Sequence, residues 1–210
     1  MLGRVIMTIK IGVLGSTKGT DLQAIIDAIE RKALDAQIAC VISNKEDAYI
    51  LERAKSHDIE AIFLDYEGNK QVLFDKAAAK EFDQRGVDLI LLIGFMKILS
   101  PWLCKHYEHR IMNIHPSLLP LFSGGMDLNV HEEVINMGLK ITGCTLHFVT
   151  PEVDKGPIIM QKPVVVDEND TPETLKAKVQ TAEQEVLIDA VKLFSAGKIK
   201  VEGNRVRIAR

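Results

Sequence analysis

The sequence has few cysteines, and they lie far apart. Cys40, Cys104 and Cys144 are the three cysteines among 210 residues, and none belongs to a C-x-x-C pair. An odd number of widely spaced thiols indicates neither a disulfide framework nor a zinc site. We therefore expect reduced thiols and a cytoplasmic protein.

Long apolar runs are also missing. The longest, LILLIGFMKIL at residues 89–99, is interrupted by Gly94 and Lys97 and is too short to span a bilayer. The opening MLGRVIM is too short for the apolar region of a signal peptide. Both observations predict a protein that stays in the cytosol.

No charge of either sign dominates the chain. There are 26 basic and 29 acidic residues, for a formal net charge of −3. Such a balance gives no cationic surface for nucleic acid, and electrostatics alone would not hold the protein on a membrane. The motifs G-x-S-x-G and H-E-x-x-H and acidic clusters of metal-binding spacing are absent too. We expect no nucleic-acid partner, no membrane partner and no metal.

Apolar runs alternate with helical patterns from the start of the chain. Near-continuous apolar strands between helices are typical of a parallel sheet covered on both faces. The predicted class is α/β, with a doubly wound, mostly parallel sheet. The periodicity predicts strands over 9–15, 37–43, 61–65 and 87–95, and helices over 21–32, 45–57 and 70–84.

The alternation of strands and helices changes after Pro116, where antiparallel strands are expected. Thr171 and Thr174 are suited to cap a long helix, and Gly203-Asn204 is suited to turn a hairpin. No repeat or linker is visible, so one domain over residues 1–210 is expected. The pattern predicts a loop over 121–129, a helix near 130–137, strands over 141–149 and 157–166, and a helix over 172–195.

The segment RIMNIHPSLLP holds a polar pair at the end of an apolar strand. Asn113 and His115 are two residues apart, so both side chains lie on one face of the strand, which Pro116 then ends. Such a pair indicates a site. The alternative is two core or edge polar residues that are merely hydrogen-bonded.

Three other segments are candidates, each with a structural alternative. GSTKGTDLQ, residues 15–23, joins a strand to a helix and is suited to phosphate, although Thr20 and Gln23 also fit a capping box. Asp154 in TPEVDKGPII fits an ordinary turn. Gln180 and Glu183 in VQTAEQE share a helix face, which is usually a solvated surface.

In combination these segments resemble one family. NIHPSLLP followed by HFVTPEVDKGP is similar to the phosphoribosylglycinamide formyltransferases, folate-dependent enzymes of purine synthesis. The Gly loop, VISNKEDAYILERA, LLIGFMKILSPWL and VQTAEQE follow in that family's order and spacing, along nearly the whole chain. The resemblance implies direct formyl transfer from 10-formyltetrahydrofolate, as co-substrate, to the amine of glycinamide ribonucleotide through a tetrahedral oxyanion.

The resemblance also implies roles for individual residues. Asn113 would donate to the oxyanion, His115 would manage protons, and Asp154 would raise the pKa of His115. The implied ligands of the ribonucleotide are Gly19, Thr20 and Asp21 at its phosphate, and Gln180 and Glu183 at its ribose or glycinamide part. The implied folate pocket comprises Lys70, Met96, Lys97, Ile98, Leu99, Thr150, Pro151, Glu152 and Val153.

Three features depart from the family pattern. Asp21 stands where Asn is usual, Lys97 replaces a frequent Arg, and the segment 122–134 is a few residues longer. A carboxylate facing a phosphate would be repelled, so we expect Asp21 to turn away or to pair with Lys18.

Other functions remain open from the sequence. Formyltetrahydrofolate hydrolase and formyltransferases with another acceptor amine share this domain, but the forms with a regulatory or an extra C-terminal domain would need more than 210 residues. A non-catalytic nucleotide-binding module is the alternative of a different class, and it would not require an oxyanion donor. The sequence does not distinguish a monomer from a homodimer.

Overall fold

The computed structural model describes residues 8–66, 70–124 and 129–209. In these ranges the helices are α1 (Thr20–Glu30), α2 (Tyr49–Ser56), α3 (Gln71–Arg85), α4 (Pro101–His106), α5 (Val130–Asn136) and α6 (Pro172–Ser195). The strands are β1 (Ile9–Gly15), β2 (Ala36–Ser43), β3 (Ala61–Phe63), β4 (Leu89–Ile93), β5 (Ile111–His115), β6 (Ile141–Phe148), β7 (Ile158–Val165), β8 (Ile199–Glu202) and β9 (Arg205–Ile208).

The predicted helices and strands are present, with ends that differ by a few residues. The capping box at Thr171 and Thr174 is confirmed, and so is the hairpin of β8 and β9. Helix α4 was not predicted. Ser100 accepts a hydrogen bond from the N–H of Leu103 and Pro101 follows it, a common helix start, but six residues are too few to show a periodicity. The predicted loop 121–129 lies partly outside the described residues.

The strands form one mixed sheet in the order β3-β2-β1-β4-β5-β6-β7-β9-β8. The strands β3, β2, β1, β4 and β5 are parallel, whereas β6 is antiparallel to β5 and β7 is antiparallel to β6. The predicted class, a doubly wound and mostly parallel sheet with antiparallel strands in its C-terminal part, is confirmed.

The two faces of the sheet carry separate apolar cores. In β4, Leu89 and Leu91 belong to a core shared with α1 and α6, whereas Ile90 and Leu92 belong to a core shared with α3 and α4. Alternate burial on two faces explains why the parallel strands are almost uniformly apolar. Within the described ranges, no helix has both the length and the apolar character that a bilayer span requires.

The order of the strands creates a crevice at their carboxyl ends. β1 lies between β2 and β4, so the chain leaves β1 and β4 toward opposite sides of the sheet, the arrangement that opens ligand crevices in α/β proteins. The loops after these strands are joined: the Ser16 N–H donates to the Gly94 carbonyl at 3.1 Å, and the Met96 N–H donates to Ser16 Oγ at 3.2 Å.

Candidate active site

A cavity of about 1000 Å³ occupies this crevice. Its walls include the three predicted catalytic residues, the five predicted nucleotide ligands, the loop 96–99, and Thr150, Glu152 and Val153. Lys70 and Pro151 do not line it. The fold thus brings together segments that are separated by more than 160 residues of sequence.

Asn113 and His115 lie on β5 and face the cavity, as the spacing predicted. The antiparallel neighbour β6 places His147 opposite Asn113 and Thr145 opposite His115. Asn113 Nδ2 is 3.1 Å from His147 Nε2. The sequence did not identify His147, because the pairing of its strand with β5 is seen only in the tertiary structure.

Asp154, in the loop between β6 and β7, contacts both His115 and His147. Its backbone is left-handed, with φ of 55°, a conformation that Asp tolerates better than most residues. Its Oδ2 lies 3.6 Å from His115 Nδ1, its Oδ1 lies 3.6 Å from His147 Nε2, and its carboxylate accepts the Gly124 N–H at 2.9 Å. Burial raises the pKa of Asp154, but the contacts with His147, Gly124 and His115 outweigh burial and leave the pKa below its ordinary value.

His115 has an oxygen atom on each side of its ring. Nε2 is 3.2 Å from the Phe122 carbonyl oxygen, and Nδ1 faces Asp154. Burial lowers the pKa of His115 more than Asp154 raises it, so the net shift is downward. The predicted effect of Asp154, which raises the pKa of His115, is confirmed, but burial outweighs it. A neutral imidazole at pH 7 is suited to accept a proton.

A buried network fixes the loop that follows β5. Thr145 is fully buried; its hydroxyl donates to the Ser117 carbonyl at 2.7 Å and accepts the Leu119 N–H at 2.9 Å. Gln161 donates to the Leu119 carbonyl at 3.1 Å and to the Thr145 hydroxyl at 3.0 Å. Because this network is satisfied, it holds the chain rigidly beside His115.

The start of α1 forms the other end of the cavity. Gly19 is the N-cap residue, with φ of 66°, and a Cβ there would overlap the side chain of Ile50. No side chain caps the helix, so the capping-box interpretation of Thr20 and Gln23 is wrong; Gln23 instead contacts Asp27 and His57. The N–H groups of the first turn are consequently left for an anion in the cavity.

Helix α6 lines the cavity beside the start of α1. The Gln180 amide contacts the Thr20 hydroxyl, which joins α6 to the start of α1. Glu183 is only 9% exposed, so the interpretation of Gln180 and Glu183 as a solvated pair is wrong for Glu183. Asp21 does not pair with Lys18. It turns inward, where it is 7% exposed and hydrogen-bonds the Gln184 side chain.

Exposed apolar side chains also line the cavity. Met96, Ile98 and Val153 keep 36%, 46% and 37% of their surface exposed there. Gln71 Nε2 donates to the Ile98 carbonyl at 2.5 Å, so α3 supports the loop 96–99, and Lys70 is the N-cap residue of that helix. Lys97 Nζ lies 4.9 Å from the centre of the Tyr66 ring.

The described ranges contain no group of three or more His, Cys, Asp or Glu side chains arranged to hold a metal ion. Absence of a metal therefore stays a prediction, to be tested with a chelator.

Comparison with known proteins identifies the class of this fold and site. The sequence profile of the family described as formyl transferase matches residues 9–191. The chain therefore belongs to the formyl transferase family.

Individual relatives narrow the class further. The chain is 41% identical over 196 residues to the phosphoribosylglycinamide formyltransferase of Haemophilus influenzae, covering 93% of this chain and 91% of that protein. It is also similar to the crystal structure of glycinamide ribonucleotide transformylase 1 from Symbiobacterium toebii, with a TM-score of 0.92, 40% identity and coverage of 100% and 98%. A formyltetrahydrofolate deformylase of Burkholderia mallei shares the fold at 27% identity, with a TM-score of 0.89 and coverage of 98% and 72%. The resemblance to phosphoribosylglycinamide formyltransferases is confirmed, and the chain is an enzyme of the formyl-transferring class.

Proposed function

We propose that this enzyme transfers the formyl group of 10-formyltetrahydrofolate to the amine of glycinamide ribonucleotide, a step of purine synthesis. The observation that carries the proposal is the position of Asn113, His115 and Asp154. They share one cavity with the uncapped start of α1, which suits a phosphate, and with the loops 96–99 and 150–153, whose exposed apolar side chains suit a folate ring.

The reaction needs two groups from the protein: a hydrogen-bond donor to the oxyanion and a group that carries a proton. As the substrate amine attacks the formyl carbon, a C–N bond forms and the carbonyl oxygen becomes an oxyanion, for which an Asn113 N–H is a suitable donor. The bond from the formyl carbon to N10 of the folate then breaks, and the proton lost by the amine is gained by N10. His115, neutral in the free protein, is the group placed to carry that proton, and Asp154 stabilises the imidazolium formed on the way.

The cavity is also lined by buried polar atoms without a hydrogen-bond partner. Asp21 Oδ1 and His131 Nδ1 are buried without a hydrogen-bond partner, and both residues line the cavity; Asp21 lies in the first turn of α1, the part that we call the nucleotide end. Native proteins rarely leave buried polar groups unpaired, so such groups favour a polar ligand at this end.

A folate absorbance assay tests the proposal. The purified protein is given 10-formyltetrahydrofolate with and without glycinamide ribonucleotide, and we expect turnover only when the amine is present. Equal turnover in water alone would instead establish the hydrolase activity that the name of the Burkholderia mallei neighbour indicates. EDTA is expected to leave the rate unchanged; a loss restored by a divalent ion would show that a metal takes part.

A further inference from the structure

Two buried carboxyl groups line the same cavity, and Gln184, the residue after Glu183, hydrogen-bonds one of them. Asp21 is in the first turn of α1, Glu183 is on α6, and both side chains are more than nine-tenths buried. Asp21 Oδ1 has no hydrogen-bond partner, and both residues line the cavity. A lone buried carboxylate oxygen requires a donor, and a proton on this pair would supply one.

The groups around the pair do not provide two compensating cations. Gln184 of α6 hydrogen-bonds the Asp21 carboxyl, and Cys144 of β6 and His131 of α5 are the neighbouring titratable groups. Lys176, one turn before Gln180 on α6, lowers the pKa of both Glu183 and His131. Lys176 is exposed, so its charge is partly screened by solvent. Lys162 of β7 is paired with Glu185.

Burial makes the doubly ionised pair costly. It raises the pKa of Asp21, and the Gln184 hydrogen bond offsets this only in part. Burial followed by repulsion from Asp21 raises the pKa of Glu183 to about 8. Two carboxyl groups in one low-dielectric site commonly retain a proton for these reasons.

We propose that Asp21 and Glu183 hold one proton between them, and that binding of a phosphorylated ribonucleotide depends on that proton. This inference rests on the proposed function, because it assumes that the nucleotide end of the cavity receives a phosphate. With one proton the pair carries a single negative charge beside the phosphate. Loss of the proton adds a second charge and repels the ligand.

The proposal also accounts for an Asp at position 21, where the family resemblance of the sequence implies Asn. An asparagine amide is always neutral, whereas an aspartate is tolerated only if its charge is shared or removed. One shared proton makes the pair of Asp21 and Glu183 carry the same charge as an Asn–Glu pair.

Steady-state kinetics between about pH 6 and pH 9 test the dependence on a proton. In the wild type we expect the KM for glycinamide ribonucleotide to rise above about pH 8, approaching tenfold per pH unit. Asp21→Asn should remove most of this rise. Asp189→Asn removes an exposed acid from the same helix as Glu183 and is the matched control, with the wild-type profile expected.

The amine of the substrate also titrates, so a ligand without an amine provides an independent measurement. Calorimetry with ribose 5-phosphate above about pH 8, in buffers of different ionisation enthalpy, counts the protons taken up on binding. We expect uptake by the wild type and by Asp189→Asn, and clearly less by Asp21→Asn. Circular dichroism of each variant establishes that it is folded.

The outcomes separate this proposal from the proposed reaction. Identical pH profiles in wild type and Asp21→Asn, or no proton uptake by the wild type, would overturn the shared proton even if formyl transfer is normal. Failure of ribose 5-phosphate to bind would overturn it as well. Normal binding with proton uptake, but no turnover with glycinamide ribonucleotide, would overturn only the proposed reaction.

Discussion

Asn113 and His147 face each other across β5 and β6, with Nδ2 of the amide 3.1 Å from Nε2 of the imidazole. The Phe148 carbonyl, 3.0 Å from His147 Nδ1, can only accept, so Nδ1 carries a proton and donates to it. His147 Nε2 in turn contacts the Asn113 amide, whose other N–H is the donor that we propose for the oxyanion.

Removing the imidazole at position 147 should therefore misplace the amide. In His147→Leu we expect kcat to fall by roughly tenfold to a hundredfold, since small errors in position are costly in catalysis. The KM for the nucleotide should change much less. His147→Gln, whose side-chain oxygen can accept from Asn113, should restore part of kcat. Equal losses in the Leu and Gln variants would show that His147 serves only packing.

His115 and Asp154 are expected to be needed for turnover rather than for folding. We expect His115→Ala and Asp154→Asn to lower kcat by on the order of a hundredfold or more, as for groups that transfer or support a proton. Thermal unfolding of both variants should remain cooperative. Wild-type turnover in either purified variant would remove these residues from the mechanism.

The pH dependence of kcat/KM distinguishes the role of His115 from that of Asp154. In the proposed mechanism neutral His115 accepts the proton, so kcat/KM should fall on the acid side as His115 becomes protonated. Asp154 raises the pKa of His115, and its removal should therefore shift this acid limb to lower pH in the residual activity of Asp154→Asn. A shift to higher pH would contradict the arrangement described.

Gly19 should be required for nucleotide binding. Alanine in its left-handed conformation costs about 1 kcal/mol of stability, and the added methyl would also overlap Ile50 at the start of α1. We expect Gly19→Ala to raise the KM for glycinamide ribonucleotide. Gly203→Ala, with φ of 60° and open space around it, is the matched control. Its KM should be unchanged despite a similar backbone cost, and a rise in both variants would indicate a general loss of stability.

Stability should respond to pH through the pair of Asp21 and Glu183. Because the folded-state pKa values are raised, the pair contributes its full stability below the unfolded pKa of about 4, and this contribution is lost as pH rises toward about 8. In urea unfolding, Asp21→Asn should be more stable than the wild type at about pH 8, with a difference that shrinks toward about pH 5. A difference independent of pH would show that the carboxyl group does not titrate in the folded protein.

Much of the fold could be predicted from the chain. Apolar runs such as VDLILLIGF follow from burial on both faces of a parallel sheet, and the 3.6-residue periodicity follows from helices with one buried face. The spacing of Asn113 and His115 fixed their common orientation. The resemblance of NIHPSLLP and HFVTPEVDKGP to one family supplied the remaining candidates, and nearly all of them line one cavity.

Three features were decided by tertiary structure alone. His147 became part of the site because β6 pairs with β5 in a particular register, which no local pattern encodes. The pKa of His115 is lowered because the surrounding chain excludes water, and burial depends on the whole fold. Asp21 hydrogen-bonds Gln184 rather than pairing with Lys18 because α6 packs on the start of α1, which brings together two residues separated by about 160 positions of sequence. Sequence determines which side chains are available and which face of an element they occupy, whereas distances, burial and charge coupling arise only once the elements pack.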